Sequence, residues 1–169
     1  SSQTILQKLG AGESITALCT AAGLTREQFD AWWQAECAAR VPVMAGAMST
    51  SATAAVDIVR DQAGIPHIFA DNDADLLLGL GVAMAQDRLW QLDYLRRKAN
   101  GRLAEILGAE ALPQDILSRT VGLHRIAAQE VTQLPAETLH LLEALARGIN
   151  LVMEGSREQL PIEFALLDY

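Results

Sequence analysis

The sequence contains few residues whose types and spacing could support catalysis. The three histidines, His67, His124 and His140, lie far apart, and none stands at a metal-ligand spacing from a cysteine or carboxylate. His140 and Glu143 are three residues apart on one predicted helix, which alone does not make a metal site. His67 follows Pro66 and is the best placed of the three, but a hydrogen-bonded structural imidazole is the favoured interpretation. We therefore predict no metal site in this chain.

The candidate nucleophiles lack recognisable partners. Cys19 and Cys37 are 18 residues apart, which is neither a zinc spacing nor a disulfide framework, so both are interpreted as small buried apolar side chains. No serine stands in a G-x-S-x-G elbow, and none has a histidine and an acid arranged recognisably as a triad. Residue types and spacing alone therefore predict no catalytic residue in this chain.

A glycine pair begins like a dinucleotide-binding fingerprint. Gly79 and Gly81 fit its start, but Met84 stands at the third glycine position and the run lies inside a helical pattern. The small residues of this run predict instead that a helix approaches a neighbouring backbone closely.

Composition narrows the possible functions. The 169 residues carry a net charge of −8, and half of them are hydrophobic. This length predicts one domain, or one domain with a small appendage, and the apolar content is enough for a sizeable core. The acidic balance argues against nucleic acid, whose phosphates need a concentrated basic surface. The longest run without formal charge, residues 41–56, is shorter than the roughly 20 apolar residues of a membrane span, so we expect no membrane partner.

The elements that would position any site fall into three regions. Residues 1–45 predict a helix-turn-helix-like module, with a turn at Gly23 and a capping box of Thr25 and Gln28. Its three basic and four acidic residues favour a packing or protein-contact role over DNA reading. A helix-turn-helix regulator or adaptor with a helical interaction domain remains the alternative. A linker is predicted over residues 46–55, because this stretch is rich in small and polar residues and its hydrophobic residues show no clear period.

The region 56–169 begins with two short extended runs, 56–60 and 66–69, which predict a hairpin with Pro66 at a strand start or an edge. A long helix follows from Asp73, with an interruption at Gly101 and a stop at Gly108. Further helices are predicted near 121–133 and over 136–153. Two short strands cannot form a stable sheet alone, and apolar residues still arrive at core spacing near residue 169, so we expect further strands from another polypeptide.

Alternating charges mark the outer face of the long helix. A solvated or salt-bridged face is the favoured interpretation, and an interchain network is the alternative. Asp93 and Arg97 are four residues apart and are predicted to pair. The charged residues concerned are Asp87, Arg88, Asp93, Arg96 and Arg97.

From residue 56 onward, a series of short sequence blocks follows in a fixed order. The blocks are Arg60-Asp61, Gly64-Ile65-Pro66-His67-Ile68 and Ala70, Gly79-x-Gly81, Ala85-Gln86-Asp87-Arg88-Leu89-Trp90-Gln91-Leu92, Arg96-Arg97, Gly101-Arg102-Leu103-Ala104-Glu105, Leu107-Gly108, and Gly148-Ile149-Asn150. Each block is weak alone, but together they cover about 115 residues and include the specific string AQDRLWQ. Their order resembles the small (alpha) subunit of the penicillin acylase family, the N-terminal-nucleophile amidases.

The resemblance implies an α+β fold, in which this chain is the mostly helical alpha-chain part of a four-layer αββα sandwich. It also implies a precursor that cleaves itself and exposes a serine at the start of a larger beta subunit. In that family the serine hydroxyl attacks an amide carbonyl of a small-molecule substrate and forms an acyl-enzyme. We therefore expect no catalytic residue in this chain, a beta-subunit partner from the same precursor, and no cofactor, with calcium possible mainly on the beta chain.

The resemblance also sets expectations about individual positions. The helix that supplies alpha-chain residues to the acyl pocket lies beyond residue 169, so no pocket residue is carried over. Ser1 precedes the helical module, whereas the family's nucleophile begins the other subunit, so Ser1 is not expected to be the nucleophile. The module stands where an export signal normally stands, which implies a cytoplasmic enzyme. A periplasmic location is the alternative if an export signal has been removed.

Overall fold

The computed structural model describes residues 1–41, 46–48, 55–157 and 159–169 and is mostly helical. Three strands and nine α-helices are present in these ranges, together with a 3-10 turn at Ala109–Ala111. The strands are β1 (Gly46–Met48), β2 (Val56–Arg60) and β3 (Pro66–Phe69). The helices are α1 (Ser2–Gly10), α2 (Ile15–Ala22), α3 (Arg26–Ala39), α4 (Asp73–Asn100), α5 (Ala104–Leu107), α6 (Leu112–Val121), α7 (Leu123–Val131), α8 (Ala136–Gly155) and α9 (Ile162–Leu167).

The first three helices begin and end at the predicted signals. The Ser14 hydroxyl accepts a hydrogen bond from the Ala17 amide, and Gly23 ends α2 in the left-handed conformation. Thr25 and Gln28 form a reciprocal capping box at the start of α3. Residues 42–45, which complete the predicted module, lie outside the described residues.

The strands form one antiparallel sheet in the order β1-β2-β3. Pro66 lies at the start of β3, an edge strand of the described sheet, where its missing amide hydrogen is tolerated, as predicted. The sequence predicted only the β2–β3 hairpin and a linker over 46–55. Strand β1 lies in that predicted linker and pairs with β2, Gly46 opposite Ile58. Three residues are too short to show a period, so only the ladder with β2 reveals this strand.

One face of the sheet packs on α4. Val56 and Ile58 are buried there, and a side chain at Gly79 would place its Cβ 2.7 Å from methyl groups of both Val56 and Ile68. The opposite face carries Val59 and Phe69, which are 55% and 60% exposed. The described residues therefore cover only one side of this sheet.

The long helix α4 begins at an Asn72 cap, bends at Arg88 and ends at Gly101, which is left-handed. The interruption predicted at Gly101 is confirmed. The bend at Arg88, where φ is −146° and ψ is 33°, was not predicted. It lies in the middle of the AQDRLWQ string.

Helices α4 and α8 cross in close contact at the core. A Cβ at Gly81 would overlap the Leu145 carbonyl oxygen, and one at Gly148 would overlap the Leu78 carbonyl oxygen. These reciprocal approaches show that the helices are antiparallel, and they confirm the predicted close packing of the glycine run. The core around this crossing includes Val82 and Ala144, both fully buried.

Two C-terminal helices were missed by sequence reasoning. Helix α6 was not predicted and is separated from α7 by Gly122, which is left-handed. Helix α9 has six residues, too few for a clear periodic signal. Within the described ranges, no helix combines the length and apolar character that a bilayer span requires.

Candidate functional site

The bend of α4 is held by a nearly buried arginine. Arg60, at the end of β2, has a side chain only 7% exposed, and its Nη2 lies 2.8 Å from Oδ1 of Asp87. Its Nη1 donates to the Gly64 carbonyl oxygen at 2.8 Å, and its Nη2 donates to Oε1 of Gln86 at 3.3 Å. One guanidinium thus connects the sheet, the β2–β3 turn and the α4 bend, which fixes the orientation of AQDRLWQ.

A second charge network follows along α4. Oδ2 of Asp93 accepts from Arg97 Nε at 2.8 Å, and Oδ1 accepts from Arg96 at 2.6 Å. Arg97 also pairs with Glu105 at 2.7 Å, and Arg102 pairs with the same carboxylate. The predicted Asp93–Arg97 pair is confirmed, and the charged face of this part of α4 is salt-bridged within the chain.

Burial and charge shift the protonation of this network. Burial on its own raises the pKa of Asp93, but the hydrogen bonds and charges of Arg97 and Arg96 outweigh it and place that pKa below the ordinary value of 3.8. Burial, and secondarily the negative charge of Asp93, raise the pKa of Tyr169 to about 12. The Arg97 guanidinium lies 5.0 Å from the centre of the Tyr169 ring, a cation–π geometry.

A groove of about 860 Å³ lies between the end of α3, the bend of α4 and the start of α9. Its walls include Cys37 and Arg40 from α3 and its end, Trp90 from α4, and Glu163 from α9. Burial, followed by the charge of Glu163, raises the pKa of the Cys37 thiol, so this thiol stays protonated and is a poor nucleophile. Cys37 therefore gives this groove no activated thiol.

The histidine judged best placed for chemistry has a local structural partner. His67 Nε2 lies 3.5 Å from Oδ2 of Asp61, and both side chains are exposed. Asp61 also accepts the amide hydrogens of Ala63 and Ile65, each at 2.9 Å. The hydrogen bond from Ile65, and then the contact with His67, lower the pKa of Asp61. His67 thus supports the β2–β3 turn, in agreement with the structural interpretation.

The other candidate residues do not come together. His140 and Glu143 are exposed on α8, and His124 is half-buried on α7. Among the described residues, no three His, Cys, Asp or Glu side chains are grouped so that they could hold a metal ion. Cys19 is buried as predicted, whereas Cys37 is only half-buried. The Ser1 hydroxyl caps α1, with its oxygen 2.9 Å from the Thr4 hydroxyl.

A buried carboxylate, Asp115, was missed by the sequence analysis. It is 6% exposed, and its two oxygens accept the amide hydrogens of Leu103 and Ala104, each at 2.8 Å. It holds the start of α5 against α6. No periodicity or spacing marks this role, because donor and acceptor lie 11 and 12 residues apart in irregular and unpredicted elements.

Comparison with known proteins shows a family match over the second part of the chain. The family model for penicillin amidase matches residues 55–169. The chain belongs to the penicillin amidase family. The predicted resemblance to the penicillin acylases is thereby confirmed, and the matched region starts just before β2.

Individual relatives of this penicillin amidase family member are acylases. The chain is 43% identical over 130 residues to the penicillin acylase 2 proenzyme of Pseudomonas sp. strain SE83. The aligned region covers 76% of this chain and 17% of that protein. It is 36% identical over 114 residues to the acyl-homoserine lactone acylase QuiP of Pseudomonas putida, covering 68% of the chain and 14% of that protein. The chain thus spans less than a fifth of the length of these curated relatives.

A solved structure is also similar to this chain. The thermostable penicillin G acylase from Alcaligenes faecalis superposes with a TM-score of 0.63 at 33% identity, covering 68% of the chain and 62% of that chain. These findings support an acylase of the hydrolase class and do not favour the helix-turn-helix regulator.

Proposed function

We propose that this chain is the alpha-subunit part of a self-processing N-acyl amide hydrolase. The observation that carries the proposal is a penicillin amidase match over residues 55–169 in a chain that spans only 17% of a relative named as a proenzyme. The rest of the precursor would then form the larger beta subunit. As expected from the sequence, catalysis would belong to that subunit and this chain would supply scaffold.

The exposed faces of the chain support a covering partner. Val59 and Phe69 lie exposed on the outer face of the sheet, and α6 carries Ile116 and Leu117 at 64% and 57% exposure. Burial of such exposed apolar surface against a partner would stabilise the complex by roughly 25 cal/mol per Å². A second sheet and further helices against these faces would complete the four-layer αββα sandwich.

In the proposed reaction, the N-terminal serine of the beta subunit attacks the carbonyl carbon of a small-molecule amide. Its own α-amine, which titrates at about 7.7–8.0, takes the hydroxyl proton. The protonated α-amine gives that proton to the leaving nitrogen as the C–N bond breaks, so that a neutral amine departs, and water then releases the acid from the acyl-enzyme. Backbone or side-chain donors of the beta chain would stabilise the oxyanion.

The proposal includes no cofactor for this chemistry. Any calcium would bind mainly to the beta chain. We propose a cytoplasmic enzyme without nucleic acid or membrane partners. A periplasmic location is the alternative if an export signal is removed.

A denaturing gel of the purified full-length protein tests the assignment. We expect two chains, one several times larger than the other, with serine as the first residue of the larger chain by Edman degradation. Replacing that serine by alanine should leave an uncleaved precursor. A single chain without a serine-headed companion, which shifts an operator fragment, would overturn the proposal and support the regulator. A panel of p-nitroanilides with aromatic and aliphatic acyl groups would then identify the acyl specificity.

A further inference from the structure

Residues 1–41 lie outside the region matched by the family model, yet they pack against its last helix. A Cβ at Gly10 of α1 would overlap the carbonyl oxygen of Leu166 in α9. The two backbones therefore meet without an intervening side chain. Such an approach is available only where glycine stands.

Two side chains add polar contacts between the same regions. Arg40 Nη1 donates to the carbonyl oxygen of Leu160 at 2.9 Å, and Gln7 Nε2 donates to Oδ1 of Asp168 at 3.1 Å. Glu36 lies 3.5 Å from Arg40 Nη2, and both side chains are only 20% exposed. Glu36 therefore orients the guanidinium towards α9.

The first three helices form a unit that can transmit this contact. Leu6, Leu18 and Phe29 are buried, one from each helix. Trp32 Nε1 of α3 donates to Oγ of Ser2 of α1 at 3.0 Å, which ties the first helix to the third. Displacing α1 from α9 would therefore move α3 as well.

A DNA-reading helix-turn-helix would place helix α3 in the major groove. Here α3 lies instead beside the acylase region, residues 55–169. Phe29 and Trp33 of α3 line one cleft of about 560 Å³ together with Trp90 of α4 and Leu166 of α9. The Arg26 guanidinium is held by Asp30, with Nε 2.8 Å from Oδ1. Arg40 is engaged by Glu36 and Leu160, as described above.

Helix α9 needs such support. It has six residues, and isolated helices shorter than about 12–15 residues are marginal in water. Helix α1 is the element it contacts most. Leu160 and Phe164 add contacts with the core on the other side.

We propose that residues 1–41 form an intramolecular clamp that holds α9 against the core of residues 55–169. The partner of this helix-turn-helix-like segment is the acylase region of the same chain, not DNA. The inference goes beyond the proposed function, since it assigns a role to the part of the chain that the family model leaves unmatched.

Hydrogen exchange of the full-length protein tests the clamp without relying on amidase activity. In Gly10→Ala, amides of residues 159–169 should exchange at least about tenfold faster, because the added methyl group separates α1 from α9. Gly155→Ala is the matched control, since no atom lies within 4 Å of its Cβ position. It should leave exchange in 159–169 unchanged. Unchanged exchange in both variants would overturn the clamp.

A second pair of variants decides the question if Gly10→Ala does not fold. Arg40→Met removes the bond to the Leu160 carbonyl oxygen but keeps the apolar stem, and should accelerate exchange in 159–169. Arg125→Met, an exposed arginine of α7 that lines neither the groove nor the cleft beside α9, should not. Equal exchange in these two variants would contradict the proposal. So would binding of a labelled DNA duplex by the full-length protein that Arg26→Met abolishes.

Discussion

The guanidinium of Arg60 and the carboxylate of Asp87 form a bidentate pair, with Nη2 2.8 Å from Oδ1 and Nη1 3.2 Å from Oδ2. This bidentate pair joins the end of β2 to the bend of α4 across 27 residues of sequence. It holds the most specific motif of the chain against the sheet. A bidentate arginine–carboxylate pair adds geometric precision as well as energy.

Asp87→Ala should lower the midpoint of thermal unfolding of the full-length protein by several degrees. The variant leaves a nearly buried guanidinium without its carboxylate, at a cost of about 2 kcal/mol. Asp30→Ala is the matched control, because the Arg26–Asp30 pair has the same 2.8 Å distance but is exposed. Its loss should cost no more than about 0.5 kcal/mol. Equal shifts of the thermal midpoint in the two variants would show that burial of Arg60 does not make its ion pair more stabilising than an exposed one.

Gly148→Ala should destabilise the crossing of α4 and α8. The new methyl group would overlap the Leu78 carbonyl oxygen, and the helices would have to separate, at a cost of about 1–3 kcal/mol. Gly155→Ala, on the same helix with open space around it, should be neutral or slightly stabilising. Circular dichroism melts of the two variants would show the difference. An unchanged midpoint in Gly148→Ala would contradict the close helix contact.

Asp115→Ala should weaken the start of α5, because two amide hydrogens lose a shared buried acceptor. The expected cost is about 1–3 kcal/mol, and Asp115→Asn, which keeps one carbonyl oxygen, should cost less. Glu110→Ala, an exposed acid nearby, is the control. Hydrogen exchange at Leu103 and Ala104 reports the effect directly. Exchange equal to that of the control variant would mean that other groups satisfy these amides.

Asp93→Asn should reduce the acid sensitivity of the protein. The folded-state pKa of Asp93 lies below its ordinary value of 3.8, so its ionised form stabilises the fold above about pH 4. That contribution is lost as the pH falls through the lower folded-state pKa. Thermal midpoints measured from pH 6 to pH 2 should therefore decline less in the variant than in the parent. Parallel declines would contradict the role of the Arg96 and Arg97 pairs.

Residues 1–169 produced alone should aggregate or form a molten state. The exposed apolar side chains of the outer sheet face and of α6 would then remain in water. Binding of a hydrophobic dye and a broad thermal transition are the expected signals. A monomer with a sharp transition would contradict the need for a covering partner.

Local sequence signals predicted the elements whose boundaries depend on single residues. Gly23 and Gly101 act through the left-handed backbone conformation, Thr25 through a hydroxyl that accepts the Gln28 amide hydrogen, and Pro66 through a missing amide hydrogen. Their positions therefore predicted helix ends, a helix start and a strand start. The bend at Arg88 was not predicted, because it does not follow from a local propensity. Helix α6 was missed although Pro113 in its first turn and Gly122 at its end are local signals for it. Strand β1 depends on β2 for its hydrogen bonds.

The sequence by itself determined the family, the helical character of the chain and the small residues that let α4 and α8 approach each other. These properties depend on which residues are present and on how they are spaced over short stretches of sequence, so they can be inferred without the tertiary structure. Only the tertiary structure decided that Arg60 reaches Asp87, that Asp115 caps α5 and that α1 meets α9 at Gly10. Such contacts join residues from about 11 to more than 150 positions apart, and each depends on how the intervening chain folds back.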